Sequence, residues 1–327
     1  MAQISKHMLT MAETVKRTNN DRLVEIAELL EEKNEILDDL QLVEASNVTT
    51  HRTTQRTGLA RGDWRAYNQG VGNAVTSTRQ IDEDVATLAI YSEVDKQLAQ
   101  QSGNPSAFRK SEDTGIIEGL SQQMAETLIY GNRKTNPAMF TGLAPRRNET
   151  SHPQVYDAGG TGSDLTSIYV VQHGTRGFHG IYPRGSNSVG INVEDKGEQT
   201  AFDEDGKKLQ VYRTLFEWAV GIVIRDPETV FRIANVPVDM GEDYEQMKKW
   251  EYRLIEVLNQ MPNRGTGAVI YGNKDIMTQA DIKALDRHNV QYGSTEIFGR
   301  EVTTFRGTPM RLVERILSTE DQVPESA

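Results

Sequence analysis

The chain has 327 residues, a net charge of −11 at pH 7 and no cysteine, which excludes disulfides, thiolate metal sites and thiol catalysis. Its length allows one large domain or two modest ones, and its acidic balance argues against tight, sequence-independent binding to nucleic acid, because such binding requires a basic surface. Residues 1–10 contain no apolar segment of a secretory signal, and the longest apolar run, 218–224, is too short to span a bilayer, so we expect a soluble protein made in a cytoplasm.

The first predicted element is an amphipathic helix from about residue 20 to Leu40. Asn20 and Asp21 are suitable N-cap residues for it. Its apolar side chains fall on one stripe, and glutamates fill the other face; the stripe consists of Leu23, Ile26, Ala27, Leu30 and Leu37. Two interpretations fit this pattern: a solvated helix on its own chain, or an N-terminal arm that packs on a partner.

A long polar segment, residues 46–80, follows and cannot form a core of its own. It is rich in Thr, Asn, Gly and Arg, and it has five arginines against one aspartate, whereas residues 81–100 have five acidic residues against one lysine. Such stretches inside a domain are usually functional or disordered. We interpret this one as a basic, β-prone arm that reaches onto a neighbouring copy of the chain. The candidate contact residues are Arg52, Arg56, Arg61, Trp64, Arg65 and Tyr67.

The next segment, residues 81–100, has a helical or mixed pattern, with Val85, Leu88, Ala89 and Leu98 as candidate buried positions. From Pro105 to about residue 131 the pattern is clearly helical, since proline suits a first helical turn and Gly131 a C-terminal stop. The predicted core face of this long helix consists of Ile117, Leu120, Met124 and Leu128.

Beyond residue 150 the pattern changes to strands, with two amphipathic helices among them. Residues 165–173 and 178–182 flank a Gly-Thr-Arg-Gly turn and predict a hairpin. Further strands are predicted at 209–224, 268–271, 298–305 and 310–316, and helices at 244–261 and 276–288. Residues 318–327 are polar, and we expect them to be mobile. The fold class is α+β.

No arrangement of residues in the sequence indicates catalysis, a cofactor or a metal. His173 and His179 are close in sequence but lack further ligands. The glycine-rich stretch 159–163 lacks the Gly-Lys-Ser/Thr of a phosphate loop, and Arg61-Gly62-Asp63 is too short to be informative in a chain without a secretory signal. We therefore expect no enzymatic activity, no catalytic residues, no metal and no cofactor.

Several segments, in this order and spacing, resemble the major capsid proteins of tailed double-stranded DNA bacteriophages with the Hong-Kong-97-type shell fold, those of short-tailed phages in particular. The resemblance covers residues 60–235 best. The segments that carry it are Trp64–Val71 (WRAYNQGV), Ser92–Lys96 (SEVDK), Ala107–Arg109 with Ser111–Asp113, Leu128–Asn132 (LIYGN), Phe140–Arg146 (FTGLAPR), His179–Gly185 (HGIYPRG) and Arg232–Asn235 (RIAN).

The resemblance implies how the chain is divided. Residues 1–45 would be an N-terminal arm, and residues 46–90 the extended loop that overlaps a neighbouring subunit. Residues 91–180 would form the peripheral domain, including the spine helix 105–131. Residues 181–305 would form mainly the axial domain, and residues 306–327 a return strand and tail.

The resemblance also implies a function. Copies of the chain would form hexamers and pentamers of an icosahedral shell that encloses double-stranded DNA without sequence-specific binding, in a virion assembled in a bacterial cytoplasm. Expected partners are a separate scaffolding protein, a portal and a cement protein, and no membrane. Some relatives join subunits through Lys–Asn bonds, but residues 46–80 contain no lysine, so we expect non-covalent joining.

Two other functions remain open at this point. An encapsulin-like nanocompartment shares this fold and houses cargo enzymes instead of a genome. A cytosolic enzyme whose site is spread over distant residues is the more remote alternative.

Overall fold

The computed structural model describes residues 34–186, 190–202, 205–238, 244–285, 291–297 and 300–324. These residues contain six α-helices: α1 (Ile36–Asp39), α2 (Lys96–Gln101), α3 (Pro105–Tyr130), α4 (Leu143–Arg146), α5 (Tyr244–Gln260) and α6 (Lys274–Ala284). The first seven strands are β1 (Leu42–Glu44), β2 (Thr50–Arg56), β3 (Thr78–Asp84), β4 (Ala86–Asp95), β5 (Val155–Asp157), β6 (Leu165–Gln172) and β7 (Phe178–Tyr182). The others are β8 (Ile191–Phe202), β9 (Lys208–Ile224), β10 (Val230–Pro237), β11 (Ala268–Gly272), β12 (Tyr292–Ile297), β13 (Arg300–Phe305) and β14 (Thr308–Leu312).

The 26-residue helix α3 is the longest of the described helices and spans about 39 Å at 1.5 Å per residue. Asn104 caps its start by accepting a hydrogen bond from the Ala107 N–H, and Pro105 occupies its first turn, where no backbone donor is needed. The helix ends at Gly131, as the sequence predicts. Its inward face carries Ile117 and Leu128 into the largest apolar core.

A five-stranded sheet forms around the long strand β9. The main strand order is β1-β7-β9-β4, and β8 also pairs with β9. Strand β9 was predicted because polar and apolar residues alternate at its start and a continuous apolar run ends it. This pattern suits a strand that becomes buried on both faces. Its residues Phe216 and Trp218 pack in the same core as helix α3.

A seven-stranded sheet has the order β12-β13-β14-β11-β6-β10-β5 and lies between two cores. Successive side chains of a strand point to opposite faces, so Tyr169 and Val171 of β6 enter the core of helix α3. Ile168 and Val170 enter a second core, which helices α5 and α6 cover with residues such as Leu254. Each sheet contains strands from both sides of residue 180: β1 and β4 join β7, β8 and β9 in one, and β5 and β6 join β10 to β14 in the other.

The predicted hairpin of residues 165–173 and 178–182 is wrong. Strand β6 pairs with β10 on one edge and β11 on the other, so neither edge is left for β7. Strand β7 pairs instead with β1 and β9. A tight turn between Gly174 and Gly177 therefore carries the chain from one sheet to the other.

Residues 81–95 form strands β3 and β4, and only 96–101 are helical. Ala89 and Leu98 are exposed, contrary to expectation, whereas Val94 and Ala99 are buried. In the last strand pair, β13 and β14 meet around Gly307 as predicted. The helix predicted at 276–288 occupies 274–284, and residues 286–290 lie outside the described ranges.

The two ends of the described chain are packed more tightly than expected. Most of the helix predicted at 20–40 lies outside the described residues, but Ile36, Leu37 and Leu40 are fully buried in the main core. At the other end, residues 318–323 are not free: Glu320 forms a bridge with Leu165, and Val323 packs against Val155. The expectation of a mobile tail is therefore wrong for residues up to 323.

Candidate subunit-contact site

The arm is built on a two-stranded hairpin, whose second strand extends it beyond residue 80, so we take it as residues 46–85 from here on. Strands β2 and β3 pair in antiparallel register from Thr50 opposite Asp84 to Arg56 opposite Thr78. Among the described strands, no third one joins them. Alternating Thr, Gln and Arg side chains favour an extended backbone but provide little apolar surface. An isolated hairpin is marginally stable in water, so this one needs support beyond its own strands.

The loop of the arm, residues 57–77, exposes almost all of its large side chains. Trp64 and Tyr67 have relative exposures of 103% and 100%, and Leu59 and Val75 are also exposed. A turn in which Asn68 adopts a left-handed conformation presents the Tyr67 side chain. Exposed apolar side chains gathered on one element are typical of interaction surfaces, and aromatic residues are the commonest anchors of such surfaces.

Two of the five arginines of the arm have side-chain partners within it: Arg52, and Arg79, which donates to Gln55 Oε1. Arg52 donates two hydrogen bonds to Asp82 of its own hairpin, at 2.7 Å and 3.0 Å, so its charge already has a partner within the subunit. Arg56, Arg61 and Arg65 are exposed and form no ion pair within the described part of the chain. These three guanidinium groups are available to an acidic surface.

The root of the arm is anchored to the body by two ion pairs. Glu83 accepts two hydrogen bonds from Arg146, at 2.5 Å and 2.6 Å, and both side chains are largely buried. Asp84, the next residue along the strand, forms an ion pair with Arg133. The backbone approaches closely here: a Cβ on Gly221 would lie 2.3 Å from the Asp84 carbonyl oxygen, so only glycine fits at this position of β9.

A small apolar cluster and a histidine contact complete the root. Ala45, Ile181 and Val223 are buried together, and Val85 packs against them. His51 meets the ring of His179 edge-on, with centroids 6.1 Å apart. This contact could not be predicted from the sequence, because nothing in a local pattern indicates that β2 lies near β7.

The predicted core face of the long helix is buried in the structure. Ile117, Leu120, Met124 and Leu128 all belong to the main core, where they join Phe216 and Trp218 of β9. This face holds the helix against the five-stranded sheet, which in turn supports the root of the arm.

The two histidines considered for metal binding have different side-chain contacts in the structure: His173 meets Tyr271, and His179 meets His51. His173 makes a 2.7 Å hydrogen bond with the Tyr271 hydroxyl, which donates to Asp39. Burial lowers the pKa of His173 to about 3 and raises the pKa of Asp39. The Tyr271 hydroxyl thus connects α1 to the seven-stranded sheet, and the neutral His173 ring contacts that hydroxyl from the end of β6. The described residues contain no cluster of three or more metal-ligating side chains, and none of their helices is long and apolar enough to cross a membrane.

Comparisons with known proteins agree with this architecture. The family model of the major capsid protein GP7 matches residues 18–324. The structure of bacteriophage Epsilon15 is 26% identical, covers 99% of each chain and has a TM-score of 0.62. The capsid of bacteriophage JBD30 is 10% identical, covers 88% of this chain and 92% of its own, and has a TM-score of 0.52, so it supports the fold alone. No curated protein matches the chain.

An encapsulin is also among the structural neighbours. The SrpI encapsulin of Synechococcus elongatus is 12% identical, covers 70% of this chain and 92% of its own, and has a TM-score of 0.41. Similarity at that level carries no argument about function.

Proposed function

The chain belongs to the major capsid protein GP7 family and has the Hong-Kong-97-type fold, so its role is structural, in the shell of a phage virion, and we propose here how its copies join. Each arm crosses to a neighbouring subunit of a hexamer or pentamer, and these capsomers close into an icosahedral shell around double-stranded DNA. Trp64 and Tyr67 are the apolar anchors of the contact, and Arg56, Arg61 and Arg65 face acidic side chains.

One observation carries this proposal: among the described strands, the two strands of the arm pair only with each other, and the aromatic side chains Trp64 and Tyr67 are entirely exposed. A protein that remained a monomer would gain nothing from this exposure, whereas burial of apolar surface against a neighbour contributes about 25 cal/mol per Å². The five- and seven-stranded sheets then act as the peripheral and axial domains, and residues 46–90 as the extended loop.

Further partners follow from the same proposal. The net charge of −11 suits a container wall that does not adhere to its genome. Scaffolding, portal and cement proteins are separate chains, the subunits are made in the bacterial cytoplasm, and the protein catalyses no reaction. With no lysine in residues 46–80, the joints are non-covalent.

Site-specific crosslinking tests the arm contact. The chain has no cysteine, so Gln69→Cys, on the exposed loop beside the two anchors, provides a unique thiol for a photoactivatable crosslinker. Illumination of assembled shells should give covalent dimers on a denaturing gel, with peptides of 57–77 joined to a distant part of the sequence. The same labelled variant as dissociated subunits is the control and should remain monomeric. Crosslinks confined to single chains in the shells would overturn the proposal.

A further inference from the structure

The contact between His51 and His179 lies where the arm leaves the body. His51 is on β2, the first strand of the arm, and His179 is on β7 of the five-stranded sheet. The two rings are 89° apart in orientation, with one edge facing the other ring. The arm and the sheet are thus in contact through two histidines, side chains whose unperturbed pKa lies near neutral pH.

The hydrogen bond at His51 requires a neutral ring. The backbone N–H of Ser46 donates to His51 Nδ1 over 3.1 Å. This nitrogen must therefore carry a lone pair, and the ring proton sits on Nε2. A second proton would place an N–H against the Ser46 N–H and abolish the bond.

Burial and the neighbouring positive charges oppose protonation of the two rings. Burial first, and then the positive charge of Arg225, lower the pKa of His51, while Glu83 raises it. The Glu83 carboxylate is already engaged by Arg146. On the other ring, burial, His51 and Arg225 lower the pKa of His179 to about 4, and the carbonyl groups of Gly174 and Gly177 offset only part of this effect.

We propose that the His51–His179 contact is a proton-operated latch, which holds the arm against the five-stranded sheet when both rings are neutral and releases it when they are protonated. The two cationic rings would then repel each other beside Arg225. The hydrogen bond from Ser46 to His51 lies within the arm, so its loss would loosen the base of the arm. The latch is a property of the single subunit. Its consequence for shells rests on the proposed function, because only a crossing arm would change subunit joints when released.

The direction of the pH effect follows from the lowered pKa values. At pH values above 6.5, the ordinary pKa of histidine, both rings are neutral whether the arm is closed or released, and the latch is at full strength. As the pH falls below 6.5, the released arm takes up protons that the closed arm resists. For His179 this continues until about pH 4. Each histidine shifts the release equilibrium by at most about tenfold per pH unit in this window.

Distance measurements between two spin labels test the latch in unassembled, full-length subunits. Labels at Gln69→Cys on the exposed loop and Ser151→Cys on the body report the position of the arm. Between about pH 8 and about pH 5, a range that brackets the ordinary histidine pKa, the distance distribution should broaden as released arms accumulate. Fluorescence of the buried Trp218 and Trp250 verifies that the body remains folded.

Two variants of His51 separate the latch from general acid sensitivity. His51→Asn retains an acceptor for the Ser46 N–H but cannot take up a proton, so it should remain closed at acid pH. His51→Lys places a permanent charge against His179 and should release the arm even at about pH 8. The matched control is His152→Asn, because His152 Nδ1 also accepts a backbone N–H, from Gln154, and the other contact of its ring is with Arg147 of the body. This variant should respond to acid like the unmodified chain.

An equal acid response in His51→Asn and the unmodified chain would overturn the latch. A distance distribution that stays constant with pH in the unmodified chain would also overturn it. Because the measurement uses unassembled subunits, its result is separate from the crosslinking test of the proposed function. If the spin labels show release at acid pH but crosslinking finds no contact between subunits, the latch stands and the proposed arm contact does not.

Discussion

Arg232 and Glu320 form an ion pair inside the protein, with 2.9 Å between Nη2 and Oε2 and each side chain only 6% exposed. Arg232 lies in the middle of β10, whereas Glu320 lies in the segment near the end of the chain. The same carboxylate accepts hydrogen bonds from Tyr130, at the end of the long helix, and from Ser167 in β6. One side chain thus connects the tail, the long helix and the seven-stranded sheet.

We expect Glu320→Ala to lower the free energy of unfolding by about 3–5 kcal/mol, because it leaves the Arg232 guanidinium buried without a counter-charge. Denaturant unfolding of unassembled subunits measures this loss. Glu314→Ala removes an exposed glutamate of the same segment and should change the free energy by less than about 0.5 kcal/mol. Equal losses in the two variants would contradict the assigned role of the buried pair.

Leu120→Ala should cost about 2–5 kcal/mol of unfolding free energy, since Leu120 is 2% exposed in the core between helix α3 and strand β9. The control is Leu98→Ala, because Leu98 is 54% exposed and its truncation leaves no cavity. The same denaturant titration measures both. A negligible loss for Leu120→Ala would show that the long helix does not depend on this face.

Truncation of both arm aromatics, Trp64→Ala with Tyr67→Ala, should separate folding from assembly. Both side chains are fully exposed in the subunit, so its unfolding free energy should change by less than about 0.5 kcal/mol. Assembly should weaken by at least about 2 kcal/mol per contact, the usual cost of removing an interface anchor. Sedimentation of shells and free subunits over a concentration series measures this. Normal assembly of the variant would show that Trp64 and Tyr67 are not the anchors of the contact.

Assembled shells should run as separate monomers on denaturing gels but dissociate faster in high salt. Screening shortens the reach of exposed charges from about 10 Å at ~0.1 M to about 3 Å at ~1 M salt. The triple variant Arg56→Gln, Arg61→Gln, Arg65→Gln should lose most of this salt dependence, because these guanidinium groups have no ion pair within the described residues. Covalent ladders after boiling would contradict non-covalent joining. Equal salt dependence in the variant and the unmodified chain would exclude these arginines as the charged joints.

The sequence predicted the elements whose signals are local and repeated. Helix α3 has a proline in its first turn, a glycine after its end and apolar residues at helical spacing, and each of these signals is present in the structure. Strand β9 was predicted from its run of apolar residues. The exposed arm was also predicted, because a segment with so few apolar residues cannot bury itself.

The sequence could not predict which edges and faces meet. Strands β6 and β7 have the local pattern of a hairpin, but long-range pairing with β10 and β11 occupies both edges of β6. Residues 86–95 were read as helical or mixed because several of their apolar side chains face solvent in β4, which disturbs the alternation expected for a strand. The partners of Glu320 and the contact between His51 and His179 depend on residues far apart in the chain, which no local pattern indicates.

The most direct test of the central claim is an electron-microscopy map of assembled shells at side-chain resolution. The map should show residues 57–77 of each subunit lying on a neighbouring subunit, with Trp64 and Tyr67 buried there and Arg56, Arg61 and Arg65 near acidic side chains. A map in which the arm folds back and packs wholly on its own subunit would contradict the account.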